Sequence, residues 1–520
     1  MYESMKSLFQ RYRDDTVVMK SEDYAHWTLP QLMIDLQIAS GGTTQQVERD
    51  FQEMGALLVN NLASKLASLL FPSSRPFYKI KLGDRLKQLI KAKGTKDMDV
   101  ATGLSKLEME SCQQLFLNAS YEQLVMAVKH LIVTGNVLLY RDSKKFTTHA
   151  YGLRSFGIRR DGRGNMMDCV LREYTSWDSL SPDIQMVLAT KHRSKYTNLQ
   201  TQYNKVELYT RIKRVTAANG NIMFEVSQEA DDVPVGTSGT YPEHLCPWQA
   251  PTWSLVAGEN YGRGLVEDYA GGFAKLSDAS HASTLYGIEM SKVVHLVAPG
   301  MGANIDALQG AENGEYVQGS KDAVTAYEGG DAGKFQQMEA AIATTFGRLA
   351  RAFMYKANTR DAERVTAYEL KQDALEAENT LGGVYSSLSA AMQIPMAHVL
   401  LLEVDPGSLE GIVTKDLKLD IIAGIPALGR QADVQNLAAA SQEAAAIVPV
   451  LKQLSPKVSV DKILAIIFAA HSIDPASVYM DEDQIAEMEA AQKQQAEGQA
   501  QIAQSTTIAD QAQQLTALQG

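Results

Sequence analysis

Cysteine is scarce in this sequence: Cys112, Cys169 and Cys246 are the only three in 520 residues. They are odd in number, far apart and without a Cys or His at ligand spacing, which excludes a disulfide framework and a zinc site. A reducing compartment fits that usage. Long apolar runs are lacking as well. The longest, Ile463–Ala470, falls far short of the roughly 20 residues that a bilayer span requires, so no membrane contact is expected. Met1 to Asp15 is polar and mixed in charge, without the apolar stretch of a secretory or transit leader. Nor is there an excess of basic charge. Lys+Arg is 49 against Asp+Glu 61, a formal net charge of -12 with a pI near 5.4. Sequence-independent affinity for DNA comes from clustered Lys and Arg, so this balance argues against a duplex-coating protein. It leaves room for a transient DNA contact at one small basic ring. The expectation is a soluble intracellular protein.

What is present is a globular composition, 45% hydrophobic and 21% charged, on a chain long enough for several domains or one elongated multi-part subunit. Residues 1 to about 120 read mostly as helix. Met54, Leu57, Leu58, Leu62, Leu66, Leu69 and Leu70 recur at helical spacing and stop at Phe71-Pro72. A second helix over 121–134 breaks at Thr134-Gly135-Asn136 into the strand Val137–Tyr140. From there to about 255 the texture is β. Val206–Arg214 and Ile222–Val226 flank Asn219-Gly220-Asn221 as a hairpin. Pro234, Gly236, Gly239, Pro242 and Pro247 then punctuate a stretch that reads as loop. Leu265 to Val294 holds no proline and reads as one helix of about 45 Å, weakened locally at Gly271-Gly272 and Gly287. Short strands and turns fill 293–333. Phe335, Met338, Ile342, Phe346, Leu349 and Phe353 then mark another long helix. After the polar break Lys356–Asp361, a third helix runs from about Val365 to Ile394, kinked at Gly382-Gly383 and halted by Pro395. The Ala/Gln-rich residues 481–520 form either one polar helix or a disordered tail.

No catalytic constellation emerges. Gly333-Lys334 imitates the end of a phosphate-binding loop, but Glu328 replaces its upstream glycine and Phe335 replaces its magnesium-binding Ser/Thr. Gly258–Gly264 is glycine-rich without the dinucleotide spacing and reads as a hinge into a helix. Gly152–Gly157 misses the nucleophile-elbow spacing by one residue. The nine histidines are scattered, and Asp97-Met98-Asp99 lacks the other ligands of a calcium loop. The reading is a structural or interaction protein: not an enzyme, and without cofactor or metal.

The order of several short motifs then carries a resemblance. Asn60–Leu66 runs on to Leu70-Phe71-Pro72; Val133–Tyr140 and Gly239–Pro242 with Cys246-Pro247 follow. After these come Tyr261-Gly262-Arg263, Glu363–Ala367, Leu381–Ser386 and Ala427–Arg430. In this order the chain resembles the portal, or head-to-tail connector, proteins of short-tailed bacteriophages of the podovirus type. The departures lie mainly before Gln45, within 293–333 and after about Asp481. The resemblance implies an α+β, mainly helical portal fold with long stem helices, a mixed α/β wing, a small β-containing clip and a helical crown. Its parts would be the wing at 1–260, a stem helix at 261–292, the clip at 293–332 and a second stem helix at 333–355. A channel loop at 356–363 would follow, then a long kinked wing helix at 364–405, the crown at 406–480 and a tail at 481–520 that is a barrel or disordered. It further implies a ring of usually twelve copies at the portal vertex of the capsid, assembled in the host cytoplasm. Double-stranded DNA would pass through that ring, a separate terminase and a tail adaptor would dock at the clip, the major capsid protein would surround it, and internal virion proteins would meet the crown. The alternative is an internal virion or scaffold protein without a channel.

Two local features sharpen this expectation. Arg348, Arg351, Lys356, Arg360 and Arg364 outnumber Asp361 and Glu363, a positive excess in an acidic chain. Helix-end dipoles account for Arg348, Arg351 and Lys356 at the close of a helix, but not for Arg360 in the polar break or Arg364 at the next helix start. Repeated around a ring, Lys356, Arg360 and Arg364 are the candidate DNA contacts, with pairing to Glu363 or a neighbouring subunit the alternative for Arg364; Gly382 and Gly383 are the candidate hinge.

Overall fold

The computed structural model describes residues 3–35, 48–73, 76–83, 85, 97–192, 196, 205–218, 220–297, 305–312, 316, 324–328, 331–355, 383–407, 417–421 and 442. The chain divides into two compact units, Met1–Ile425 and Pro426–Gly520, and the elements below belong to the first.

The N-terminal helices are set by their caps and apolar spacing. In α1 (Met5–Tyr12) the Ser4 hydroxyl accepts the Ser7 N–H, and Met5, Leu8 and Phe9 are buried on one side. The Asp14 carboxylate accepts from the Thr16 and Val17 amides at the start of α2 (Asp15–His26), putting an acid at the positive end of the helix dipole. In α3 (Met54–Leu70) Leu58, Leu62, Leu66 and Leu70 are fully buried at every fourth position, and the helix ends before Phe71 as its periodicity requires.

A short strand, β1 (Tyr78–Leu82), precedes α4 (Asp97–Gln113) and α5 (Ser120–Thr134). Gly135 closes α5 at φ +74, returning its N–H to the Leu131 carbonyl at 3.0 Å. A Cβ at Gly135 would lie 2.5 Å from the Arg263 carbonyl carbon, so only glycine lets these two backbones meet. Asn136 stitches them: its Nδ2 donates to the Thr134 and Gly262 carbonyls, and its Oδ1 accepts from the Gly262 N–H, each at 2.7 Å. Two of the short motifs, 126 residues apart, are thus one joint.

Strand β2 (Leu138–Asp142) pairs with β3 (Thr147–Tyr151). The larger sheet is an antiparallel meander of β4 (Phe156–Arg160), β5 (Met166–Ser176), β6 (Lys205–Thr216), β7 (Ile222–Ala230) and β8 (Val233–Pro242), with α6 (Pro182–Lys191) between β5 and β6. The expected hairpin is β6–β7, joined through Gly220 at φ +80. The stretch after Val233 is not loop. It forms the edge strand β8, where Pro234 and Pro242 are tolerated because an edge residue need not donate on its open side. The strand β9 (Trp248–Gln249) adds to β2, stacking Trp248 on Tyr140 at 4.1 Å.

Gly383 sits at φ +86, a left-handed conformation that glycine favours, and caps the start of α11 (Val384–Leu388). Gly382 and the expected helix before it lie outside the described residues. Pro395 departs from expectation, because it does not halt the helix. A π-helical turn over Ser389–Gln393 widens the backbone ahead of it, so Pro395 falls in the first turn of α12 (Ile394–Val404), where its missing N–H costs nothing. Val384–Val404 is long and apolar enough to cross a membrane by composition alone, with mean hydropathy 1.3. Its Tyr385, Leu388, Met392, Met396, Ala397, Leu400 and Leu401 belong instead to the main hydrophobic core. Tyr385 Oη donates to the Leu69 carbonyl at 3.2 Å, and Gln393 Nε2 donates to that of Leu70. These supply the terminal carbonyls of α3 with partners that the helix itself cannot give.

Arg141 and Glu403 close the return. Their side chains are 0% and 1% exposed. Arg141 Nε and Nη2 donate to the two Glu403 oxygens at 2.9 and 2.7 Å, while Nη1 reaches Ser120 and Thr148. Removing one partner strands the other charge in the core, so Arg141→Met is expected to cost about 3–5 kcal/mol. Arg141→Met with Glu403→Leu should recover much of that loss in urea unfolding; additive losses would contradict the pair. Gly383→Ala forces a Cβ onto a left-handed residue and should cost roughly 1–2 kcal/mol. An unchanged or raised unfolding midpoint would mean that the boundary adapts.

Candidate functional site

Between the Gly262 joint and the return through Gly383 lies a helical hairpin. Leu265–Asp268 makes one turn, and the long outgoing helix Ala270–Met290 follows after a break at Tyr269. The expected single helix over 265–294 is therefore two pieces and a strand. Tyr269 turns out of helical geometry (φ -112, ψ 16) and sets its ring 6.0 Å from Phe353. Val293 and Val294 enter β10 (Val293–Val297), which suits their branched side chains. Gly271, Gly272 and Gly287 do not interrupt the helix. A Cβ on Gly272 would come within 3.1 Å of Leu349, so this glycine allows close packing. The return is β11 (Val324–Glu328) and the helix Ala332–Ala352, whose start Asp331 caps by accepting the Gly333 N–H at 2.8 Å.

Both long helices have 21 residues, about 32 Å at 1.5 Å per residue. Their contacts keep one antiparallel register. Phe273 meets Phe353 edge-on at 5.5 Å, Ser283 donates to Glu339 at 2.5 Å, and Tyr286 stacks on Phe335 at 6.5 Å. Tyr286 Oη also accepts the Asp331 N–H at 2.5 Å. The strands continue the same alignment, with Val293 opposite Glu328 and Val297 opposite Val324. Helix pair and ribbon are one rod.

The rod buries little within one copy. On the outgoing helix only Phe273, Leu276 and Ser283 are buried, whereas Leu285 and Ile288 stay 54% and 52% exposed. Phe51, 60% exposed, stacks on His281 at 3.9 Å, and Ser277 donates to Asp50 at 2.6 Å. His281, Leu285 and Ile288 fall on one helical face at steps of four and three.

At the inner end of the rod, Arg348 and Arg351 are exposed and pair with no described acid. Arg351 lies in the last helical turn, where the dipole favours a cation. The helix stops at Ala352. Phe353 and Met354 are buried, Met354 is left-handed at φ +53, and Lys65 Nζ donates to the Met354 carbonyl at 2.8 Å. The chain is thus pinned to α3 immediately before the polar break. Lys356, Arg360 and Arg364 lie outside the described residues. The contact from Lys65 had no signal in the sequence, since 289 residues separate the partners.

Other candidate chemistry dissolves on inspection. Gly258–Gly264 is a loop whose Gly262 and Gly264 approach the 132–135 backbone. Beside it a 610 Å³ polar hollow is lined by Arg13, Lys20 and Arg263 together with Asp15 and Glu259. Arg263 pairs with Glu259 at 2.8 Å and Arg13 with Asp15 at 2.9 Å. Burial pushes the thiols of Cys112 and Cys246 up to about 12 and that of Cys169 higher still, so none is a nucleophile at neutral pH. Burial likewise holds His130 down to about 4 and neutral. Among the described residues no group of three His, Cys, Asp or Glu side chains could hold a metal.

The model of the family described as bacteriophage head to tail connecting protein matches residues 2–479. The chain is 43% identical over 515 residues to the portal protein of Pseudomonas phage phiKMV, covering 99% of this chain and 98% of that one. Portal proteins of Enterobacteria phage SP6 (30% over 420 residues, 81% and 78% covered) and Escherichia phage T7 (29% over 501 residues, 94% and 90%) are also similar. Among solved structures, the neck of an empty GTA particle aligns at 12% identity over 75% of this chain and 86% of that one. Its TM-score of 0.39 is too low to add to the sequence match.

Proposed function

Because this chain belongs to the bacteriophage head to tail connecting protein family, we infer that it works as the portal subunit of a short-tailed phage. Its copies form a ring at one capsid vertex, and double-stranded DNA enters and leaves the head through the central channel. The observation that carries this reading is the register-matched rod of helix, ribbon and helix, pinned at one end by Asn136 and at the other by Lys65. Such a rod is a wall element. Repeated around an axis, it gives a tube whose length is fixed by the helices and whose end ribbons are available for docking. The reading assigns 261–292 and 333–355 to the stem and 293–332 to a clip that meets terminase during packaging and the tail adaptor afterwards. It gives 1–260 and 364–405 to the wing, towards the major capsid protein, and 406–480 to a crown near internal virion proteins. The rival reading, a scaffold or internal virion protein without a channel, is not favoured by relatives named as portal proteins. The conduit is proposed to be non-enzymatic, with ATP hydrolysis left to the terminase.

A ring built from one chain uses two different faces of each copy, and the interface closes only if its rotation divides the circle. The exposed face with Phe51, His281, Leu285 and Ile288 suits one side of that seam, since apolar groups open to water in one copy are covered by the next. Leu285→Glu with Ile288→Glu should leave the subunit folded, because exposed substitutions shift stability by only about 0.5 kcal/mol. Rings should nevertheless fail to form in size-exclusion chromatography with light scattering. Rings of normal size would remove this face from the seam.

The channel contact is assigned to Lys356, Arg360 and Arg364, one cationic belt per ring acting on passing phosphates. A conduit needs attraction weak enough to break as the duplex moves, which suits a few cations in a chain of net charge -12. Phage carrying Lys356→Glu with Arg360→Glu should still assemble rings while packaging or retaining little DNA. Normal yields of filled heads would show that this segment does not engage the duplex electrostatically.

A further inference from the structure

Two exposed apolar features of the first unit have no part in the rod. One is a knuckle where the link from α4 to α5 meets the β2–β3 turn. Phe116, Leu117 and Phe146 are exposed there, Leu117 by 51%. Asn118, Ala119 and Phe146 stand in the left-handed region at φ +53, +55 and +55. Asparagine tolerates that conformation, whereas alanine and phenylalanine adopt it under strain. Hydrogen bonds hold the strain in place. Asn118 Nδ2 donates to the Lys145 carbonyl and Ser120 Oγ to that of Phe146, each at 3.2 Å, while Ser120 Oγ accepts from the buried Arg141. A strained backbone that is held rigid while it keeps aromatic groups in water is a mark of a contact surface. Lys144 and Lys145, next to Phe146 in the turn, are exposed and pair with no described acid.

The other feature is the outer stripe of α6. A solvated helix face is normally polar, yet Met186 is 72% exposed and Val187 is exposed beside it. Asp183 and Thr190 lie in line with them at steps of three and four. Leu188 is fully buried in a small separate core, so the helix cannot roll to hide the stripe. Gln185 Nε2 donates to the Trp177 and Leu180 carbonyls, which holds the turn Trp177–Ser179 against the helix. That turn adds the exposed Asp178, and neither aspartate pairs with a described cation.

We propose that these two features meet across adjacent copies of the chain. Phe116, Leu117 and Phe146 of one subunit seat on Met186 and Val187 of the next, and Lys144 and Lys145 face Asp178 and Asp183. The contact rests on the ring reading above and names a further part of its seam. A ring built from one chain joins unlike faces. These two are both apolar at the centre, but one is edged by cations and the other by anions. Knuckle against knuckle, or stripe against stripe, would set like charges together, so the charges select the mixed pairing. Aromatic and methionine side chains are also what interface centres favour.

Charge reversal in the full chain tests this, read by light scattering after size-exclusion chromatography. Lys144→Glu with Lys145→Glu should raise the concentration for half-maximal ring formation roughly tenfold or more. Asp178→Lys with Asp183→Lys should weaken rings as well, although it reduces the net charge of an acidic chain. All four changes together should recover most of the lost assembly. The four side chains are exposed, so urea unfolding of each variant should match wild type. The proposal is overturned if rings withstand the lysine reversal, if the aspartate reversal strengthens them, or if the two reversals add instead of cancelling. Rings that ignore both reversals leave the portal reading standing and remove this contact alone. A wild-type chain that forms no rings removes the two together.

Discussion

The buried pair of Arg141 and Glu403 is the constraint on which the rest of the first unit depends. A guanidinium with no exposed surface must satisfy its donors inside the protein or lose several kcal/mol. Here the partners come from α5, β3 and α12, so the charge is neutralised only when the chain has returned to the body 262 residues later. Between Arg141 and Glu403 lie the antiparallel sheet, the rod and the polar break. The pair therefore acts as a check that the whole excursion has closed correctly.

The rod is fastened by different chemistry at its two ends. At the start, glycine backbones meet at Gly135, Gly262 and Gly264, and Asn136 holds them with a donor and an acceptor from one amide. At the finish, Phe353 and Met354 enter the core and Lys65 holds the Met354 carbonyl. Helices that bury only a few residues within one copy would not keep a fixed direction by their own packing. Fixing both ends to the body gives them one, and leaves their remaining surface for neighbouring copies.

Charge is distributed to match. The chain is acidic overall, its cations in the polar hollow are largely paired with acids, and the exposed Arg348 and Arg351 stand where the rod meets the polar break. An acidic background repels DNA broadly, so small basic surfaces decide where the duplex is touched.

Local elements were legible in the sequence because they depend on near neighbours. The leucine spacing of α3, the β6–β7 hairpin, the proline-free outgoing helix and the apolar stripe ending at Phe353 all follow from periodicity and turn chemistry. The order of motifs also identified the family, since order survives where spacing alone is ambiguous. Boundaries set by distant partners were not legible. Pro395 reads as a stop until the π turn before it is seen, Pro234 and Pro242 read as loop until β8 proves to be an edge, and Tyr269 breaks its helix to meet Phe353. The buried ion pair, the Asn136 joint and the Lys65 anchor join residues between 126 and 289 positions apart. Nothing in a local pattern specifies such pairings, because their energy exists only once packing has excluded water and brought the partners within hydrogen-bonding distance.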